Sequence, residues 1–338
     1  MILKTQEEDT QQNSLKDKNV LVTGGTGLIG RELVNLLLHE EAKVTVAAID
    51  SGENLPESVS FLKIDLREFS NCVEACKGMD YVFNLVGIKA SPKMCAEQPS
   101  DIMVPMMQFN TNMAEAARRA NVEWYLYTSS VGVYYPKEIL CEDDVWETFP
   151  SKNDWFGGWA KRMGELQLQS YSVKHPEFGY SIVRPANVYG AYDNFDPENA
   201  MVIPSLIRKA FENDTLKVWG DGTPVRDFIH ARDVARGMLF AVKNKVKQPL
   251  NLGSGEGVSI SELVEVICDC LPKDMKVVWE KEKPTGDKKR IMDMTRAFGL
   301  GFKNSVSLRE GILQTVMWFI KNSDTIDDRY NAFKGEYE

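Results

Sequence analysis

The stretch VLVTGGTGLIGREL, Val20 to Leu33, limits the possible folds more than any other part of the chain. Val20, Leu21 and Val22 form an apolar run that reads as a buried strand, and an amphipathic helix is expected from Leu28. Between them the glycines fit two overlapping patterns, Gly25-x-Gly27-x-x-Gly30 and Gly24-x-x-Gly27-x-x-Gly30. The first glycines allow a tight turn, Gly27 lets backbone approach a pyrophosphate, and Gly30 lets the helix pack close to the strand. The helix N-terminus, at Leu28 and Ile29, offers free N–H groups and a partial positive charge to phosphates. A glycine-rich turn alone can be purely structural, so its context decides. Asp50 closes the run Val44 to Asp50, about 20 residues after the last glycine. An acid there accepts both hydroxyls of an adenosine ribose and repels a 2′-phosphate. NAD is therefore expected over NADP. Arg31, beside Gly30, argues the other way, because a base could meet that phosphate.

Strand-like and helix-like segments alternate beyond this corner. Phe61 to Leu66 reads as a strand that brings Asp65 and Leu66 to the adenine end of the cofactor, although Asp65 could equally cap the helix after it. Val73 to Lys77 is expected as helix, Asp80 to Gly87 as strand, Asn110 to Ala120 as helix, and Trp124 to Ser130 as strand. Asp154 to Lys174 reads as a long helix and Tyr180 to Arg184 as a strand. This spacing predicts an α/β fold with a Rossmann-type, doubly wound parallel sheet. After Pro185 the pattern loosens. A loop covers Ala191 to Pro204 and a helix Leu206 to Asn213. Short strands are expected at Leu216 to Trp219, Arg226 to His230, Leu250 to Gly253 and Lys276 to Glu280. Helices are expected at Val234 to Lys243, at Ser259 to Cys270 with a capping box between Ser259 and Glu262, and at Leu308 to Lys321. The expected division is a flexible lead-in (1–17), a cofactor domain (18–185, with returning segments near 225–255), a smaller discontinuous C-terminal α/β substrate-binding domain (186–322), and a mobile tail (323–338).

Bulk properties narrow the partners. The net charge of −9 argues against nucleic acid and anionic membranes. No apolar run is long enough to span a bilayer, and the polar N-terminus lacks a signal-peptide core, so a cytoplasmic protein is expected. The six cysteines, Cys72, Cys76, Cys95, Cys141, Cys268 and Cys270, show no paired metal-site spacing and read as reduced thiols. The three histidines, His39, His175 and His230, do not cluster.

Several further motifs resemble one family, the extended short-chain dehydrogenase/reductases that act on nucleotide sugars. They are TGGTGLIG, then YTSSVGVYYP (Tyr127 to Pro136), RPANVYGAYDNF (Arg184 to Phe195), VIPSLI (Val202 to Ile207), GDGTPVRDFIHARDVARG (Gly220 to Gly237) and KPTGDKKRIMDMTRA (Lys283 to Ala297). The likeness spans about Lys18 to Asn322. Within the family, DNFDPENAMVIP followed by VWGDGTPVRDFIH is most similar to the GDP-fucose synthases and other GDP-sugar enzymes. The resemblance implies hydride transfer at a sugar carbon, usually C4. A lysine stabilises a tyrosine phenolate one helical turn away, and a serine hydroxyl bonds to the reacting oxygen. It places the lysine at Lys161, the serine at Ser130, and the tyrosine position at Gly157, within WFGGWAKRMGE.

A glycine transfers no proton. Three readings stay open here: removal of the tyrosine by design, another base (Tyr134, Tyr135 or a water near Lys161), or nucleotide binding without catalysis. Val131 and Gly132 after Ser130 replace the acidic pair of the family's dehydratases. Gly132 and Met201 stand where GDP-fucose synthases carry an epimerising cysteine and histidine. What remains is redox at one carbon, by a C4 epimerase, a 4-keto reductase or a dehydrogenase. A non-catalytic sensor on the same fold is the rival. For substrate, the resemblance points to Arg226 and Arg290 on the diphosphate, assisted by Lys283. Asn187 would face the sugar or phosphate, or fix its loop. Val202 and Leu206 would pack near the base, and Trp219 either against the base or in the core, with core favoured. His230 reads as structural. A homodimer through Asn110 to Ala120 and Asp154 to Lys174 is also implied.

Overall fold

The computed structural model describes residues 14–283 and 286–328. Most of the expected lead-in (1–13) and of the expected tail (329–338) lies outside the described residues. In chain order come β1 (Asn19–Thr23), α1 (Leu28–His39), β2 (Lys43–Ala48), β3 (Ser60–Lys63), α2 (Phe69–Cys76), β4 (Tyr81–Asn84), α3 (Pro92–Glu97), α4 (Pro99–Arg119), β5 (Trp124–Thr128), β6 (Ile139–Leu140), α5 (Trp155–Lys174) and β7 (Tyr180–Pro185). The second half adds β8 (Asn187–Tyr189), α6 (Val202–Glu212), β9 (Thr215–Trp219), β10 (Val225–Arg226), β11 (Phe228–His230), α7 (Ala231–Lys243), β12 (Leu250–Leu252), β13 (Val258–Ser259), α8 (Ile260–Cys270), β14 (Lys276–Glu280), β15 (Lys289–Met292), α9 (Thr295–Gly299) and α10 (Leu308–Asn322). A 3₁₀ turn at Ser323–Asp328 follows, with Ile326 buried.

Seven parallel strands form the main sheet, in the order β12-β7-β5-β4-β1-β2-β3. The strand order reverses between β1 and β4. Open α/β sheets bind ligands in the crevice at such a reversal, outside the carboxyl ends of the strands. Helices cover both faces. Val20 and Val22 join one core with Leu33, Val34 and Phe83. Leu21 joins the other with Val82, Tyr125 and Met113. Burial on both faces explains why these strands read as continuous apolar runs. A third core gathers Ile203, Leu216, Val218, Leu263, Ile267 and Phe319 from α6, β9, α8 and α10. Beside it, β13-β10-β15-β6 form a small sheet.

Three segments differ from expectation for identifiable reasons. Helix α4 begins at Pro99 instead of near Asn110, and carries Pro105 inside. Proline is tolerated in a first turn, where its missing N–H has no partner to lose, so Pro99 starts the helix instead of preventing it. Pro204 likewise lies in the first turn of α6, which begins at Val202. The expected strand from Arg226 to His230 is two strands, β10 and β11, in different sheets and divided at Asp227. The capping box on α8 is present: Glu262 N–H donates to Ser259 Oγ at 3.2 Å and Ser259 N–H to Glu262 Oε2 at 2.8 Å.

A buried ionic network joins α5 to the sheet. Arg184 on β7 meets Glu165 on α5 at 2.6 Å, both side chains fully buried. Ser129 Oγ donates to Glu165 at 2.5 Å, and Arg184 donates to Tyr134 OH at 3.1 Å. Removing one member of a buried pair strands the other charge. Glu165→Ala is expected to lose about 3–5 kcal/mol in urea unfolding, and Glu165→Leu with Arg184→Met clearly less. A loss below about 1 kcal/mol for the single variant would show that the pair holds nothing.

Candidate active site

The glycine corner is built for close approach. Gly24 has φ +65°, and its N–H donates to Ala47 O at 2.9 Å. A Cβ on Gly30 would collide with the Gly24 carbonyl, so this glycine lets α1 sit against the turn. A Cβ on Gly27 would meet only Gly24 O, at 3.3 Å, which leaves that side of the turn open. No side chain caps the N-terminus of α1 at Gly27. Its first N–H groups, from Leu28 and Ile29 onward, thus stand uncapped over an open cradle, which fits a pyrophosphate. Thr26 Oγ1 donates to both oxygens of Asp50 at 2.8 and 3.0 Å, which fixes the acid two residues past the end of β2. Arg31 is engaged with the backbone around Asp50. It donates to the carbonyls of Thr26, Asn54 and Glu53, and lies 4.6 Å over the Tyr192 ring.

The capping alternative for Asp65 differs from expectation. Asp65 does not cap α2, whose N-cap is Glu68. It binds Arg67 in a local ion pair at 2.5 Å instead. The Leu66 side chain is buried in the core, so only its backbone is left to face a ligand. Sequence reasoning missed the pin between β1 and β4. Thr23 Oγ1 donates to Asn84 Oδ1 at 2.7 Å and accepts from Leu85 and Val86 N–H at 3.1 Å.

The candidate serine and lysine come from the end of β5 and from α5. Ser130 Oγ accepts from Gly132 N–H at 3.1 Å and so caps the 3₁₀ turn Val131–Val133. Gly157 and Lys161 lie one turn apart on α5. Lys161 Nζ donates to Thr128 O at 2.8 Å, and the residue is 8% exposed. Burial pulls its ammonium down to about 8. The two glycines of α5 differ. A Cβ on Gly158 would collide with Gly132 O, so packing against the serine turn requires that glycine. A Cβ on Gly157 would meet only Ile102 Cγ2, at 3.9 Å, so packing does not. Tyr134 is unsuited as a replacement base. It is 2% exposed, donates to Asn251 Oδ1 at 2.5 Å, and burial raises its phenol well above the ordinary value. Tyr135 is exposed.

The substrate candidates come from the small sheet, α6, β8 and β9. Arg226 on β10 and Arg290 on β15 are direct partners in a parallel pair. Burial first, and then the Arg290 charge, lower the Arg226 guanidinium from its usual value. Arg290 spans the site: Nη1 reaches Asp154 Oδ2 at 2.9 Å and Nη2 donates to Val131 O at 2.9 Å. Asp154 escaped the sequence reading, since a lone acid before a helix carries no local mark of a contact so distant in the chain. Asn187 Nδ2 donates to Asp227 O at 2.8 Å, which fixes the loop. Trp219 is 55% exposed, with the Lys209 and Lys283 ammoniums each 5.7 Å from its ring, and this overturns the core assignment. The alternation in β9 held the signal, since Leu216 and Val218 point inward while Lys217 and Trp219 point outward. Val202 is partly buried, and Leu206 belongs to the third core. His230 Nδ1 accepts from Arg232 N–H at 3.3 Å, and burial lowers its imidazole to about 4, so it acts as a helix cap.

All six cysteines are free, and burial pushes Cys72 and Cys76 up to about 12. Among the described residues no group of acids, histidines and cysteines is placed to hold a metal, and no helix is long and apolar enough to cross a membrane.

Lys161 gives a stability test. Its folded pKa lies below the unfolded value, so the folded chain carries a penalty at neutral pH that fades as pH rises from about 8 towards 10.5. Lys161→Met is expected to be more stable than the parent at pH 7 by on the order of 2 kcal/mol. Urea unfolding should show the gap closing towards pH 10. A pH-independent difference would contradict the assignment.

Comparison with known proteins places this geometry. Residues 20–253 match the model of the NAD dependent epimerase/dehydratase family. The chain is 30% identical over 330 residues to a probable GDP-L-fucose synthase 1 of Oryza sativa subsp. japonica, covering 93% of this chain and 96% of that one. It is 29% identical over 318 residues to GDP-L-colitose synthase of Yersinia pseudotuberculosis, covering 90% and 99%. Among solved structures it superimposes with a TM-score of 0.80 on UDP-N-acetylglucosamine 4-epimerase from Methanobrevibacter ruminantium M1, solved in complex with UDP-N-acetylmuramic acid, at 27% identity and covering 91% and 99%.

Proposed function

The chain belongs to the NAD dependent epimerase/dehydratase family, and from that premise we propose that it is a nucleotide-sugar enzyme performing redox at one sugar carbon. The reaction is that of a C4 epimerase, a 4-keto reductase or a dehydrogenase, on a GDP-linked sugar in view of its relatives. The observation that carries this reading is the survival of Ser130 and Lys161 on one wall with the Arg226–Arg290 pair nearby. A protein that sensed only the nicotinamide redox state would need neither pair.

The roles follow from the chemistry of each group. Gly24, Gly27, Leu28, Ile29 and Gly30 hold the cofactor phosphates. Asp50 accepts the ribose hydroxyls and favours NAD over NADP, while the backbone at Asp65 and Leu66 borders the adenine. The bound nicotinamide supplies or accepts the hydride. Lys161 binds its ribose and keeps positive charge beside the reacting oxygen. Ser130 donates to the sugar oxygen as charge develops there. Arg226 and Arg290 clamp the diphosphate bidentately, and Trp219 with Val202 flanks the nucleobase. The exposed Val104, Leu166 and Val173 on α4 and α5 support a homodimer through these helices.

The open position at Gly157 favours a second reading, a nucleotide-sugar-binding protein without turnover. The two separate in one experiment: absorbance at 340 nm and product sugars, for the parent and Gly157→Tyr, with NAD or NADP and GDP-, UDP-, dTDP- and CDP-hexoses. Turnover of one sugar class by at least the tyrosine variant is expected. Silence from both proteins in both assays would favour the binding reading. NAD should bind more tightly than NADP, and Asp50→Ala should narrow the gap at least about tenfold. An unchanged preference would remove Asp50 from the cofactor site.

A further inference from the structure

Asp154 is an acid of the site to which no role has been given. It precedes α5 directly, three residues before Gly157. Its Cβ and Cγ lie 3.3 and 3.5 Å from the point where a Cβ on Gly132 would sit, and Ser130 Oγ lies 3.5 Å from the same point. Both groups thus flank the same face of Gly132. The Asp154 side chain is 33% exposed, and its carboxylate is held by Arg290 at 2.9 Å. Arg290 also contacts Asp287 at 3.4 Å and Val131 O at 2.9 Å.

We propose that Asp154 is the acid–base group of this site, doing the work of the absent tyrosine, and that substrate binding releases it from Arg290. The inference rests on the nucleotide-sugar reading above. A diphosphate offers Arg290 two negative charges in place of one carboxylate, so the guanidinium turns from Asp154 to the phosphates. The freed carboxylate then stands beside Ser130, where the sugar hydroxyl docks. In the oxidising direction the hydroxyl O–H bond breaks and its proton passes to an Asp154 oxygen. The C–H bond at the same carbon breaks and its electron pair leaves as hydride to the nicotinamide, the oxidant. The C=O double bond forms between them. Reduction returns both the proton and the hydride. A Cβ on Gly157 would meet only Ile102 Cγ2, at 3.9 Å, so the tyrosine position itself is open.

The test compares the parent, Asp154→Asn, Gly157→Tyr and the double variant Asp154→Asn with Gly157→Tyr, using the same sugar panel, together with calorimetric titration of GDP and UDP. Asp154→Ser serves as a second variant should the asparagine protein fail to fold. The parent is expected to turn over. Asp154→Asn should lose about 100- to 10,000-fold in kcat, and Gly157→Tyr should restore most of that loss in the double variant. The nucleoside diphosphate that matches the sugar should bind Asp154→Asn more tightly, because Arg290 loses its ion pair with Asp154. A parent that is silent while Gly157→Tyr works would overturn Asp154 and leave the nucleotide-sugar reading standing. Full activity in Asp154→Asn, or a loss that tyrosine does not restore, also overturns it. Silence from every protein removes both readings together.

Discussion

The buried pair of Arg184 and Glu165 is the constraint on which the site depends. It ties α5 to β7, and through Ser129 it ties both to the end of β5. Lys161 and Gly157 ride on α5, and Ser130 follows Ser129 directly. The relative placement of serine and lysine therefore rests in part on an ion pair that has no access to water. Such a pair is expensive to desolvate, and well-packed apolar residues often do as well for stability. Here its value lies in direction. Each oxygen of Glu165 has a defined donor, so the helix cannot rotate without stranding a charge.

Around that anchor the chain accepts local weakness. Two consecutive glycines open the first turns of α5, each costing roughly 1 kcal/mol of helix propensity. Gly158 is required by the carbonyl of Gly132, and an edge-packed cluster of Phe149, Trp155 and Trp159 steadies the same turn from outside. Lys161 adds a second local cost, since its ammonium is buried, donating to the Thr128 carbonyl beside the Tyr127 ring. Helical weakness and a buried charge on one short segment are the mark of residues kept for chemistry instead of for stability.

The inner strands of the main sheet were legible from the sequence because burial on both faces makes them short runs of apolar and aromatic residues, and the glycine corner because its sterics demand particular residues. Ser130, Lys161, Arg226 and Arg290 were legible only through resemblance; nothing local distinguishes Arg290 from the other basic residues of its segment. The start of α4 was hidden by Pro99 and Pro105, which read as breakers until their places in the helix are known. Trp219 was misread because its bulk suggested core, although the alternation in β9 points it outward. Asp154 and the Thr23–Asn84 bond depend on partners brought together only by the folded chain, and no window of sequence contains both ends.

The parallel pairing of β10 with β15 has a last consequence. Arg226 sits opposite Arg290, as Val225 sits opposite Lys289. Side chains alternate faces along a strand, so a slip of one residue would send one arginine to the far side of the sheet. Asp227, the next residue, forbids that slip: its carboxylate accepts from Met292 N–H at 3.1 Å and from Ser254 N–H at 2.7 Å. The spacing of the two positive charges is thus written in the backbone ladder, and the Asp227 carboxylate holds that ladder in register.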